Sequence, residues 1–328
     1  MIERDPQVSV IIAAFNSAVY LPETLESIFA QTYPSYEIIL VDDGSTDDTP
    51  EIAYRYRNHI RYFRQSNSGG PARPRNIGIA HAEGKFVCIF DSDDIMISDK
   101  LARSVDFIRS YPDLGLIFSN FVTFEDHGPQ PETHLDTCAN FSRLPKEFLG
   151  PARYRIKSSI AFDALFYENY IGTSSVLIPA AVLKVIGPFD EDVSRGGLED
   201  RDMWFRITRQ YDIGFLNFVG HRYRVRANSV SKRVIESAQA RIKVIRRHVK
   251  PSMRATIKAR ARAVVAKCFF DIGYQYLVNG QLSTARRYFR KSFCQLLSRA
   301  AARGFLLTLL GSRLLRVLRC FRRGLRSC

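Results

Sequence analysis

Lys85-Phe86-Val87-Cys88-Ile89-Phe90-Asp91-Ser92-Asp93-Asp94 reads as a buried strand that runs straight into a knot of carboxylates. A second stretch repeats the pattern, with Glu37-Ile38-Ile39-Leu40-Val41 running into Asp42-Asp43-Gly44. Carboxylates crowded at a strand end repel one another unless something cationic binds them. In an open parallel sheet the carboxyl ends of the strands line the ligand crevice. The pattern therefore points to a divalent metal holding a phosphorylated ligand at a sheet edge. A third acidic pair, Glu199-Asp200, precedes another apolar segment.

Working outward, Val8-Ser9-Val10-Ile11-Ile12-Ala13-Ala14 is a nearly continuous apolar run, as expected of a strand buried on both faces. Helical periodicity follows over Leu21–Gln31, with Pro22 and Glu23 suited to a first turn. Further helices are expected from about Asp48, over Arg75–Ala82, Leu101–Ser110 and Asp202–Tyr211. Short strands are expected at Ile60–Phe63, Leu114–Phe124 and Ile213–Val219, and the region 125–150 reads as a loop. Alternating strands and helices at this spacing predict an α/β fold with a doubly wound, mostly parallel sheet.

The 328 residues are 46% apolar and 25% charged, which suits a folded catalytic domain with an appendage. The net charge of +15 is unevenly spread. From Glu236 onward there are 22 Lys/Arg against two acidic residues, a net +20, and the remainder carries −5. The division expected is a catalytic domain over 1–233 and a basic helical extension over 234–328. Within the extension, Tyr276–Gln281 and Ala285–Phe289 flank an Asn279-Gly280 turn and resemble one helical-hairpin repeat of the tetratricopeptide kind. No signal sequence or spanning segment is evident, and six scattered cysteines show no paired spacing, so a reduced cytoplasmic setting is expected.

Neither a Gly-x-Gly-x-x-Gly turn nor a phosphate-cradling Gly-x-x-x-x-Gly-Lys motif is present. Instead, five motifs from Val8 to Ser231 resemble, in order, those of the family 2 glycosyltransferases of the GT-A fold. They are the opening strand to Phe15-Asn16; Val41–Asp47; Arg75–Gly78 leading through Gly84-Lys85 into Asp91–Asp94; Glu199-Asp200 with Trp204 and Arg206; and Tyr223-Arg224-Val225 with Ser229–Ser231.

The resemblance implies a Rossmann-like nucleotide-binding fold and a metal-dependent inverting transferase that uses a nucleotide sugar, with a uridine diphosphate sugar expected. Phe15, Asp43, Arg75 and Asp91 would contact the nucleotide; Asp91 and Asp93 would hold Mn²⁺ or Mg²⁺; Asp200 would be the general base. Asp94 and Glu199 are further candidates in the same motifs. Arg226 stands where relatives often have a histidine, which removes a metal ligand and offers a direct contact to the diphosphate. The implied acceptor is a glycan or lipid-linked hydroxyl in cell-surface polysaccharide synthesis.

Each signal has a plainer reading. Asp42-Asp43-Gly44 alone is a turn, Asp94 can cap the next element, and Glu199-Asp200 suits a helix N-terminal dipole. Two acidic strand ends in one motif series outweigh those readings for Asp43, Asp91, Asp93 and Asp200. In the tail, arginines from Arg313 to Arg323 alternate with Leu, Val and Phe. Residues 304–328 can lie on an anionic membrane surface at the inner face, or pack on the protein. No nucleic-acid module accompanies the charge, which disfavours that partner. Two other functions stay open: a sugar nucleotidyltransferase on a similar fold, and a degenerate non-catalytic nucleotide-sugar-binding or tethering protein.

Overall fold

The computed structural model describes residues 6–125, 128–225 and 233–309. The chain divides into two compact units, 1–229 and 230–328, the division falling a few residues before the expected 233. Eleven strands are found among the described residues of the first unit. In chain order they are β1 (Val8–Ala14), β2 (Tyr36–Asp42), β3 (Arg61–Arg64), β4 (Phe86–Asp91), β5 (Ile95–Met96) and β6 (Leu116–Glu125). Then come β7 (Gly128–Thr133), β8 (Glu147–Gly150), β9 (Arg153–Ile156), β10 (Val176–Pro179) and β11 (Ile213–Arg224).

The sheet runs β3-β2-β1-β4-β10-β6-β11-β9-β8, with β5 on β11 and β7 on β6. From β3 to β4 every pairing is parallel, and helices Leu21–Phe29, Thr49–Arg55 and Ala72–Ala80 make the crossovers. Burial explains the apolar runs: Val8, Val10, Ile11 and Ile12 of β1 and Cys88, Ile89 and Phe90 of β4 are fully excluded from solvent. Strand order reverses on either side of β1, so a topological switch point lies at the carboxyl ends of β1 and β4.

The far half of the sheet is mixed. β10 is antiparallel to β4 and β6, β11 is parallel to β6, and β9 is antiparallel to β11. The region 125–150 is not the loop expected. It carries β7, a helical turn at His134–Thr137 and β8. Its Pro and Gly residues mask the strand signal because these strands are short and lie on the sheet margin, where proline is tolerated. The Arg75 helix begins three residues earlier than expected, at Ala72. Pro74 therefore falls in its first turn, where a missing N–H costs nothing.

The second unit is helical over its described part: Val234–His248, Ala255–Val278, Leu282–Gln295 and Arg299–Leu307. The second and third of these form the expected hairpin, turned at Gly280 with φ +79°. Phe289 is its fully buried centre, packed where Gly273 and Gly304 leave room. No helix among the described residues is long and apolar enough to cross a membrane.

Candidate active site

Register places the acidic clusters. Ala14 of β1 pairs with Asp42 on one side, and Ala13 pairs with Asp91 on the other. Both clusters thus emerge at the same carboxyl edge, flanking the switch point. Gly44 makes the tight turn after the first cluster, with φ +74°. A Cβ there would meet the Asn67 backbone nitrogen at 2.7 Å.

The two members of the first pair differ in role. Asp42 is fully buried and structural, accepting from Ser45 N at 2.8 Å and Tyr62 Oη at 2.9 Å. Asp43 accepts from Gln65 Nε2 at 2.5 Å, Ser68 N at 3.0 Å and Ser68 Oγ at 3.0 Å. Its carboxylate therefore orders the loop 65–70 against the sheet edge. Phe15, the residue after β1, lies beside this edge and is 45% exposed.

Arg75 ties the second and third clusters together. Its guanidinium is buried, donating to Asp91 Oδ1 at 2.7 Å through Nη2 and to Glu199 Oε1 at 2.7 Å through Nη1. Glu199 and Asp200 open the helix Glu199–Thr208. Burial pushes the Glu199 carboxyl up to about 7 despite the Arg75 charge, with Asp200 adding repulsion. Asp200 is also raised by burial, opposed by Arg201 N at 2.5 Å, by Arg75 and by Asn169 Nδ2 at 3.0 Å. Glu199 Oε2 and Arg75 Nε are buried without partners among the described residues.

Asp93 is nearly buried, and its backbone carbonyl accepts from Arg224 Nε at 2.9 Å. Asp94 does not cap a helix. It is fully buried and accepts from Arg224 N at 3.0 Å, while burial and the neighbouring Asp93 and Asp91 raise its carboxyl. Arg224 also pairs with Glu23 and stacks over the Phe124 ring at 4.4 Å, so the end of β11 clamps the Asp-rich turn. Ser17 and Ser92 hydroxyls meet at 2.7 Å, joining that turn to the loop after β1.

The site thus unites Arg75, Asp91 and Glu199 in one ion-pair cluster, with Asp200 next to Glu199 at the start of its helix and Asp93 and Asp94 on the adjoining turn. Asp43 belongs to the neighbouring loop and has no direct bond to that cluster. Trp204 and Arg206, quoted with the acidic pair, are structural. The indole is fully buried, and Arg206 pairs with Asp202 at 2.8 Å. Arg226 and Ser229–Ser231 lie outside the described residues, as does the tail from residue 310 onward. Asn169, which orients Asp200, has no motif around it. Arg224 had one, in Tyr223-Arg224.

Among the described residues no three His, Cys, Asp or Glu side chains converge as a metal cage. The hard oxygens of Asp91 and Asp93 nevertheless fit Mg²⁺ or Mn²⁺, which take one or two carboxylates and complete their shells with phosphate and water. Asp91 uses only Oδ1 for Arg75 and remains partly exposed, leaving its other oxygen available.

Residues 9–167 match the family model described as Glycosyl transferase family 2. The sheet, with the carboxylates at the carboxyl edge, is the GT-A arrangement. An uncharacterized glycosyltransferase of Rickettsia prowazekii is 30% identical over 223 residues, 68% of this chain and 65% of that protein. Poly(ribitol-phosphate) beta-N-acetylglucosaminyltransferase TarS of Staphylococcus aureus is 41% identical over 108 residues, 31% of this chain and 19% of its own. The crystal structure of TarS 1-349 in complex with UDP-GlcNAc superposes with TM-score 0.61 at 18% identity, covering 92% of this chain and 89% of that one. Mannosyltransferase PcManGT from Pyrobaculum calidifontis, solved with GDP-Man and Mn²⁺, gives TM-score 0.57 at 19% identity over 93% and 89%. The chain spans from 31% to 65% of the length of the rickettsial relatives it matches.

Proposed function

We propose that this protein is an inverting glycosyltransferase, moving a sugar from a nucleoside diphosphate sugar, a UDP-sugar, to a hydroxyl of a glycan or lipid-linked acceptor in cell-surface polysaccharide synthesis. The observation that carries the reading is the Arg75 bridge, which brings the Asp-rich strand end and the Glu199-Asp200 pair into one cluster. The groups that hold the leaving diphosphate and the base that takes the proton of the attacking hydroxyl must lie on opposite sides of one anomeric carbon. The UDP-GlcNAc bound by TarS supports the choice of nucleotide.

In this reading Phe15 and the Asp43-ordered loop hold the base and ribose. Asp91 and Asp93 would hold Mn²⁺ or Mg²⁺, which supplies charge neutralisation at the departing diphosphate. Arg75 orients Asp91 and keeps the site electrostatically balanced. Asp200 accepts the proton of the attacking hydroxyl, and burial raises its affinity for that proton above that of an ordinary carboxylate. One displacement with one base inverts the anomeric centre, since retention with two carboxylates requires a nucleophile as well. Arg226 supports the diphosphate from the following segment. The basic stretch 304–328 supports peripheral attachment to an anionic membrane surface on the cytoplasmic side.

A panel of nucleotide sugars tests this directly, with released nucleoside diphosphate as the readout and Mn²⁺ present or chelated. Metal-dependent turnover of a UDP-sugar is expected. Turnover of none, with no protection against heating by UDP and Mn²⁺, would sink the proposal.

A further inference from the structure

Residues Asn169 to Ser174 run from the candidate base to the Asp-rich strand end. At one end Asn169 Nδ2 donates to Asp200 Oδ2 at 3.0 Å. At the other, the buried Ser174 Oγ accepts from the Asp91 backbone amide at 3.1 Å. The stretch between is pinned. Tyr170 is buried, and its Oη donates to the Ala161 carbonyl at 3.1 Å. The Ile171 carbonyl accepts from the Trp204 indole at 3.2 Å. Gly172 lies on the Phe121 ring, where a Cβ would come within 2.7 Å, and its carbonyl accepts from Ser175 Oγ at 2.6 Å. Just before Asn169, Glu168 accepts from Phe141 N at 2.6 Å and from Asn140 Nδ2 at 3.1 Å.

A segment fixed at so many points does not slide, because each shift would leave buried polar groups unpaired. It is a spacer of set length between Asp200 and Asp91. The Arg75 bridge also joins the two sides, but it grips Glu199 and not the base. The charged groups facing Asp200 are Arg75, Arg201 and the adjacent Glu199. Its two hydrogen bonds among the described residues come from Arg201 N and from Asn169. Arg201 N belongs to the same helix and moves with it. Asn169 is therefore the donor that refers the carboxylate to a separate element, one whose other end is tied to Asp91.

We infer that Asn169 and Ser174 are positioning residues, the two ends of a strap that holds the base in register with the donor side of the cleft. The inference deepens the transfer reaction proposed above and rests on Asp200 as its base. A misplacement of about 1 Å between reacting groups costs on the order of a hundredfold in rate. The strap accordingly acts on kcat and leaves nucleotide affinity alone.

The test uses the full chain, with UDP-GlcNAc, UDP-glucose and UDP-galactose as donors, UDP release as the rate and UDP binding with Mn²⁺ measured by calorimetry. Asn169→Leu, close in size but unable to donate, should lower kcat about tenfold or more at unchanged UDP affinity. The acid limb of its pH–rate profile should move to higher pH, because the lost hydrogen bond had held the Asp200 carboxyl down. Asn169→Asp, which puts a second carboxylate in the same shape, should move the limb the same way and further. Ser174→Ala should lower kcat with the limb unmoved. An unshifted limb in both Asn169 variants, or wild-type kcat in Asn169→Leu or in Ser174→Ala, would overturn the strap while leaving the transfer reaction intact. Wild-type turnover by Asp200→Asn would instead remove the base, and the strap with it.

Discussion

Arg75 and Glu199 lie 124 positions apart in the chain, yet they meet at 2.7 Å in a buried pair whose second arm holds Asp91. The arginine is thus a strut between the donor-side strand end and the helix that carries the candidate base. Such a pair is weak as a source of stability but costly to break, because removing one partner strands the other in low dielectric.

Arg75→Ala should therefore destabilise the first unit by about 3–5 kcal/mol and abolish turnover. Arg75→Lys, which keeps the charge but cannot span both carboxylates, should recover much of the stability and little of the activity. Urea titration and nucleotide release on the same preparations separate the two effects.

Glu199 yields a pH prediction. Its folded-state carboxyl is raised by burial from 4.5 to about 7, so the folded chain holds this proton more tightly than the unfolded chain does. The contribution to stability is complete below about 4.5 and is lost as pH rises toward about 7. Glu199→Gln should flatten that decline. Unfolding midpoints measured across this range would show parallel curves for both proteins if the assignment were wrong.

Asp200→Asn should retain metal-dependent UDP binding while transfer falls by at least about a hundredfold. Asp93→Ala should instead lose the metal dependence of UDP binding. Calorimetry with UDP, with and without Mn²⁺, distinguishes a missing base from a missing ligand. Normal turnover by Asp200→Asn would refute its role.

Gly304→Ala tests packing in the helical unit. A Cβ there would come within 2.6 Å of the Phe289 ring, which is fully buried and cannot swing into solvent. The expected loss is about 1–3 kcal/mol, read from a thermal melt. The transition of the first unit should not move.

Much of this site was legible because its residues sit where strands end, and strand ends are marked by local apolar runs. Val41-Asp42-Asp43 and Phe90-Asp91 announce themselves within a few residues. Which aspartate faces outward depends on what crosses from elsewhere: Asp42 is consumed by Tyr62 and Ser45, and Asp94 by Arg224. Those partners lie up to 130 positions away, beyond the reach of periodicity. The same holds for Asn169, whose only distinction is the carboxylate it touches. The region 125–150 reads as loop because short strands on the sheet margin need no long apolar run.

The clamp made by Arg224 has an architectural corollary. One side chain at the last turn of the sheet grips the backbone of Asp93, while its own amide holds Asp94. The end of β11 and the Asp-rich turn are therefore held as one object, and a change at Arg224 reaches two successive aspartates at once, one through its backbone and one through its side chain.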